Sequence, residues 1–380
     1  MSIMAAKTAL VLSGGGARAA YQVGVLGAVR DLLQDKKTNP FPIICGTSAG
    51  ALNAAYLATR ADNFGSGVGQ LLHLWSNFHA GDVYRAGPLG MGTAAAGWLA
   101  AMAGGWLLKK SPRSLLDNSP LRQLLIRHVD FSRIEAAIAN RELHSVSITC
   151  SGYSSGQSVS FFQGGEGIEP WQRAQRFGAR VNLGIDHLLA SSAIPFIFPA
   201  IKLHREYFGD GSMRQVAPIS PAIHLGADKI LVVGAGRMTT PEGFRDPDGA
   251  YPSLAQIAGH ALSSIFLDSL WADLERTNRI NRTVGLIPEQ VRREQGMALR
   301  PIEVLVIAPS ERLDHLASLH AHSLPWPVRA LLGGIGAMNK KGGALTSYLL
   351  FERSYTRALI DLGRRDTLAR SEEVLGFLEP

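Results

Sequence analysis

Two short stretches of this chain carry residue types in an order that could support acyl transfer. The first is Gly46-Thr47-Ser48-Ala49-Gly50, which follows the apolar run Phe41 to Cys45 and opens an alanine-rich helix. Glycine, any residue, serine, any residue, glycine at a strand-to-helix junction is the form of a nucleophile elbow, whose sharp turn lifts the hydroxyl clear of the backbone. Side chains two residues to either side would collide in such a turn, so Gly46 and Gly50 suit it. The helix start adds partial positive charge beneath the hydroxyl. The same residues also fit a plain turn in which Ser48 merely caps the helix. The second stretch, Ser13-Gly14-Gly15-Gly16-Ala17-Arg18, closes the run Thr8 to Ser13 and opens another helix. Consecutive glycines let backbone N–H groups approach a ligand oxygen closely, where a helix dipole favours negative charge. That arrangement suits an oxyanion hole. Gly14, Gly16 and Ala19 also fit a dinucleotide fingerprint, which requires an acidic residue closing the second strand. Here that strand closes in Gly46-Thr47-Ser48, and Asp35 lies in the polar loop before it. The dinucleotide reading is therefore set aside.

Two further segments say little in isolation. Asp210-Gly211-Ser212 follows the run Ile201 to Phe208 and reads as a turn. Ala190-Ser191-Ser192-Ala193-Ile194-Pro195 reads as a helix end. Taken together and in order, the four segments resemble the patatin-like phospholipase family, with its glycine-rich oxyanion motif, its serine elbow, its A-S-x-A-x-P block and its D-G-[AGS] motif. Tyr251 to Asn281 and Leu345 to Asp366 also look like bacterial members, so the resemblance covers most of the chain. It implies that Ser48 is the nucleophile and Asp210 the general base of a Ser–Asp dyad. It further implies that Gly14, Gly15, Gly16, Ala17 and Arg18 supply the oxyanion donors. The chain departs from the family at Ala19, where glycine is usual, and a local adjustment is expected there. The implied activity is hydrolysis of carboxylic esters of phospholipids or lysophospholipids through an acyl-enzyme, with no metal or organic cofactor.

A dyad without histidine has a physical basis. Aspartate is a weak base at its ordinary pKa of about 3.9, but burial in a dry pocket raises that value and strengthens its bond to the serine. The alternative is a Ser–Asp–His triad in the chain order of α/β-hydrolases, with His224 as third member. His224 instead falls in an expected helix leading to Gly226 and the next strand, where a packed histidine is the plainer reading. A lipid-binding protein without catalysis is a further alternative; intact Ser48, Asp210 and glycine loop speak against it.

The elements that must hold these residues follow from periodicity. Thr8 to Ser13, Phe41 to Cys45, Ser145 to Cys150, Lys229 to Gly234 and Glu303 to Ile307 read as buried strands. Tyr21 to Leu33 and Ala49 to Ala58 read as helices between them. Alternating strands and helices imply a mainly parallel sheet covered on both faces. The expected fold is a patatin-like three-layer α/β/α core with a helical C-terminal extension. The polar loop Arg237 to Pro252 separates a core at 1–236 from the C-terminal part at 237–380, in which Leu254 to Arg276 and Ala344 to Leu362 read as long helices. Between Ala86 and Leu108 there is no charged residue; the length meets the rule for a membrane span, but its glycines and Pro88 favour an apolar insertion, buried or facing lipid.

Composition bounds the rest. At 380 residues, 46% hydrophobic and 18% charged, the chain is of ordinary globular type. Cys45 and Cys150 match neither a disulfide framework nor a metal-ligand spacing. The start, Met1 to Leu12, lacks the long apolar stretch of a secretory signal, so the cytoplasm is the expected compartment. The net charge of +7 comes from scattered residues without interleaved aromatics. That excludes a nucleic-acid module and leaves an anionic membrane surface as the expected peripheral partner beside the lipid substrate. Oligomeric state is not legible.

Overall fold

The computed structural model describes residues 6–85, 87, 114–236, 251–334, 336–338 and 343–379. The uncharged insertion 86–108 lies outside them, Gly87 apart, as does most of the loop 237–252. At the centre stand five parallel strands in the order β10 (Glu303–Ile307), β9 (Lys229–Val233), β1 (Thr8–Leu12), β2 (Ile43–Thr47) and β3 (Ser145–Gly152). Beyond β3 the sheet continues through β4 (Ser158–Gly164), β6 (Arg176–Arg180) and β5 (Trp171–Arg173), and a hairpin of β7 (Ile201–Leu203) and β8 (Glu206–Asp210) also joins β3. The fold is α/β with a mostly parallel sheet, as the alternation of elements requires.

Strand alternation sorts side chains into two cores. Leu10, Leu12, Ile44, Leu231 and Val233 face one layer, while Ala9, Val11, Ile43, Ile230 and Val232 face the other. The first layer contains α1 (Ala20–Leu32), α2 (Ala49–Ala58), α3 (Phe64–Ser76), the single turn α4 (Ala80–Val83), α5 (Ser119–His128), α6 (Ser132–Ala139) and α7 (Ile185–Ser191). The opposite layer holds α8 (Ser220–His224) and later α10 (Ser269–Gly285).

The C-terminal part is built onto this core. It begins with α9 (Leu254–Ser263), followed by a π turn at Ser264–Asp268 that leads into α10, so the long helix expected from Leu254 is offset in its middle. Then come α11 (Glu289–Glu294), strand β10, α12 (Leu313–His320), α13 (Trp326–Gly334), α14 (Gly343–Leu349), α15 (Arg353–Leu368) and α16 (Ser371–Leu378). The continuous helix expected over Ala344 to Leu362 is broken. Glu352 is extended and starts α15, and its carboxylate accepts the Ala80 N–H at 3.2 Å. The break turns the buried Phe351 ring toward Trp75 and Phe78, with ring centres 6.3 and 6.1 Å away. Aromatic packing outweighs one helical turn here.

Periodicity also places no strand between Cys150 and Ile201, where β4, β5 and β6 occur. β4 reads Ser-Val-Ser-Phe-Phe-Gln-Gly, and β5 and β6 are short and carry arginines at the sheet edge. Their hydrophobic signal is too brief to stand out.

Candidate active site

The seam between β2 and β8 sets the geometry. β2 runs along one edge of β3 until Thr47 stands opposite Thr149. One residue further on, β8 takes over that edge from the opposite direction, with Asp210 opposite Cys150. The chain leaves β2 at Ser48 and leaves β8 at Gly211, so residues 162 positions apart in sequence end side by side.

Ser48 adopts φ 55° and ψ −130°, a conformation that L residues avoid and that costs on the order of 1–3 kcal/mol. The surroundings hold it there. Its N–H donates to Ser191 Oγ at 2.9 Å, and Ser191 in turn donates to the Thr149 carbonyl at 2.6 Å. Glycine is obligatory on both sides. A Cβ on Gly46 would lie 2.6 Å from Ala54 Cβ, and one on Gly50 would strike the carbonyls of Leu12 and Ser13. The hydroxyl does not cap α2. It donates instead to Asp210 Oδ2 at 2.6 Å.

Asp210 is fully buried and Ser48 is 1% exposed. Burial pushes the Asp210 carboxyl up to about 6, although hydrogen bonds from Ser48 and from the Ser212 N–H, the latter at 3.0 Å, pull the other way. Among the described residues no cation forms an ion pair with it. The arrangement can therefore hold a carboxylate that accepts a proton near neutral pH from a hydroxyl already pointed at it.

The glycine turn lies beside the elbow, and Gly16 lines the same small cavity as Ser48. Gly16 has φ +56°, and a Cβ there would run into the Tyr348 carbonyl. Residues Gly16–Ala19 form one 3-10 turn, whose first N–H groups have no acceptor within the turn, as at any helix start. Gly14, Gly15, Gly16 and Ala17 thus stand at the turn's open end. The Arg18 N–H donates to the Gly15 carbonyl at 3.1 Å. The Arg18 side chain is buried and directed to the C-terminal part, with Nε donating to Ser347 Oγ at 2.8 Å and the guanidinium 4.1 Å from the Tyr348 ring centre. Ala19 is fully buried at the start of α1.

His224 sits elsewhere. Its ring stacks on Trp171 at 4.9 Å in the core of the opposite sheet face, and burial with Arg173 and Arg176 nearby pushes its pKa down to about 4. Among the described residues no histidine hydrogen-bonds to Ser48 or Asp210. No group of three or more His, Cys, Asp or Glu that could hold a metal ion occurs among them either.

Two features of the site escape sequence reasoning. Ser191 looks like part of a helix end, yet it holds the elbow in place. Trp75 and Phe351 come from distant helical regions to wall the cavity on Ser48. Trp75 is fixed through its indole N–H, which donates to the buried Asn53 Oδ1 at 2.8 Å. Asn53 also donates to Gln22 Oε1 at 3.0 Å, and Gln22 donates to the Ser13 carbonyl at 2.7 Å, so the wall and the glycine turn share one polar network. The only signal for this in the sequence is polar residues on otherwise apolar helices.

Of the comparisons with known proteins, the family profile is the one that shows the family. The sequence profile of patatin-like phospholipases matches residues 10–223, more than half the chain and the span that contains Ser48, Asp210 and the glycine turn. Among solved structures, VipD from Legionella pneumophila aligns over 94% of this chain and 67% of its own, at 13% identity and a TM-score of 0.33, too loose a likeness to carry an argument. No curated protein matches the chain. With the profile spanning the elbow, the glycine turn and Asp210, the chain belongs to the patatin-like phospholipase family, a family of lipid acyl hydrolases.

Proposed function

We propose that the protein hydrolyses carboxylic esters of phospholipids or lysophospholipids through a Ser48–Asp210 dyad and an acyl-enzyme. The 2.6 Å hydrogen bond from Ser48 to a fully buried Asp210, which has no counter-cation among the described residues, carries this reading. In the first half-reaction Ser48 Oγ attacks the ester carbonyl carbon while its proton passes to Asp210. The tetrahedral oxyanion forms beside the N–H groups of the glycine turn, where fixed dipoles favour it. Collapse breaks the bond to the alcohol, which leaves with the proton from Asp210. Water then attacks the acyl-Ser48 ester, giving its proton to Asp210 and releasing the fatty acid as Ser48 recovers a proton.

The apolar lining of the cavity supports an acyl substrate over a polar one, since a charged group would have to shed its water there. The basic surplus of the chain favours work at an anionic bilayer, to which binding would weaken as salt screens it. A panel of phospholipids and lysophospholipids, assayed with wild type beside Ser48→Ala, tests the reaction. Fatty acid release by wild type and its loss in the variant are expected. Release that survives in Ser48→Ala would sink the assignment.

A further inference from the structure

Immediately behind the cavity on Ser48 lies a second one, and the two share a wall. The first is lined by Ser48 and Gly16 at one side and by Leu52, Trp75, Phe78 and Leu121 at the other. The same four side chains line the second cavity, which ends at Tyr56, Leu125 and His128. Each has a volume of about 30 Å³. Among the described residues no Asp, Glu, Lys or Arg lines either one.

The helix that starts at the elbow supplies the axis. Ala49, Leu52 and Tyr56 fall three and four residues apart and so lie along one face of α2. At a rise of 1.5 Å per residue, the face from Ala49 to Tyr56 is roughly 10 Å long. We propose that this face, together with α3 and α5, forms the acyl-chain channel of the enzyme, running from Ser48 past Leu52 to the Tyr56–His128 end. The inference rests on the Ser48 reading and adds where the hydrocarbon lies and what limits its length.

The side chains of the shared wall differ in how firmly they are held. Trp75 is tied by its indole N–H to Asn53. Phe78 and Leu121 have side chains without hydrogen-bonding groups and are held by packing alone, so they are the groups that part when a chain enters. Trp75 remains as a fixed side wall, with Phe78 packed on it at 4.9 Å between ring centres. Among the described residues no acidic side chain, lysine or arginine meets a headgroup in this direction, and taking a charge into such a site is strongly unfavourable. The channel therefore takes the acyl side of the ester and leaves the headgroup side to the mouth.

The test uses ratios of kcat/KM for decanoyl and butyryl p-nitrophenyl esters, measured on one preparation, so that the folded fraction cancels. Leu125→Phe fills the far end and should lower the decanoyl-to-butyryl ratio at least tenfold. Leu121→Ala removes the partition and should raise it severalfold. Rates of covalent capture by butyl and decyl fluorophosphonates should shift in the same directions. Unchanged ratios in both variants, with Ser48 still captured by the short probe, overturn the channel and leave the nucleophile assignment standing. A wild type that hydrolyses no ester and is not captured at Ser48 overturns both.

Discussion

The two faces of the central sheet each bury an aspartate, and what surrounds them differs. On one face Asp273, between Leu270 and Leu274 of α10, accepts the Ile219 N–H at 3.0 Å and faces Arg276 at 3.6 Å. Its pKa is raised by burial, against the pull of Ile219 and Arg276. That carboxylate holds the start of α8 and has a counter-charge. On the other face Asp210 has no ion pair among the described residues and accepts from the hydroxyl of a strained serine. Burial by itself is thus a poor sign of catalysis. Burial without a cation, opposite a nucleophile, is a better one, because hydrogen bonds alone offset the desolvated charge and the carboxylate readily takes a proton.

The largest expected effect comes from exchanging the two residues' chemistry. Asp210→Asn should lower ester hydrolysis by roughly 10²–10⁴-fold, the range for losing a general base. Asp273→Asn should keep it, since its amide oxygen can still accept from Ile219. Equal loss in both variants, with both folded, would erase the contrast between the faces.

The second test is thermodynamic. The Asp210 carboxyl is raised from 3.8 to about 6, so between those values the folded protein holds more protons than the unfolded chain. Its contribution to stability is present below about 4 and is lost as pH rises through about 6. The shift corresponds to on the order of 3 kcal/mol. Asp210→Asn should therefore gain stability relative to wild type between pH 4 and 7, measured by denaturant titration. Over the same interval kcat/KM of wild type should climb, because only the ionised carboxylate accepts a proton. A wild-type rate independent of pH from 5 to 7 would mean that Asp210 is not the base.

Smaller effects sharpen the other face. Asp273→Ala leaves the Ile219 N–H buried without an acceptor and should cost about 1–3 kcal/mol of stability with hydrolysis retained. His224→Ala loses the stack on Trp171 and should cost about 1 kcal/mol. It too should retain hydrolysis. An inactive but folded His224→Ala would make the triad the better account.

Much of the fold was legible in local pattern. The strand Glu303–Ile307 and the helix Ala49–Ala58 match the spans that periodicity assigns, because a continuous apolar run or a helical stripe is a local property of the chain. The short strands β5 and β6 and the break at Glu352 were not legible. The former have too few apolar residues to show a period, and the latter depends on where Phe351 finds aromatic partners.

The candidate site divides along the same line. Sequence by itself determined that a glycine-flanked serine must sit on a tight turn after a buried strand, since steric exclusion at Gly46 comes from near neighbours, Ala51 and Ala54; at Gly50 it comes from Leu12 and Ser13 and is tertiary. Sequence also placed Asp210 in a turn after the run Ile201 to Phe208, whereas the structure makes it the last residue of β8. Only the tertiary structure decided that β8 takes up the β3 edge where β2 leaves it, and so that Asp210 meets Ser48. It likewise decided that Asp210 has no counter-cation among the described residues, that Ser191 steadies the elbow and that Trp75 walls the cavity. Those are contacts between residues far apart in the chain, and strand register and burial, not local preference, bring them together.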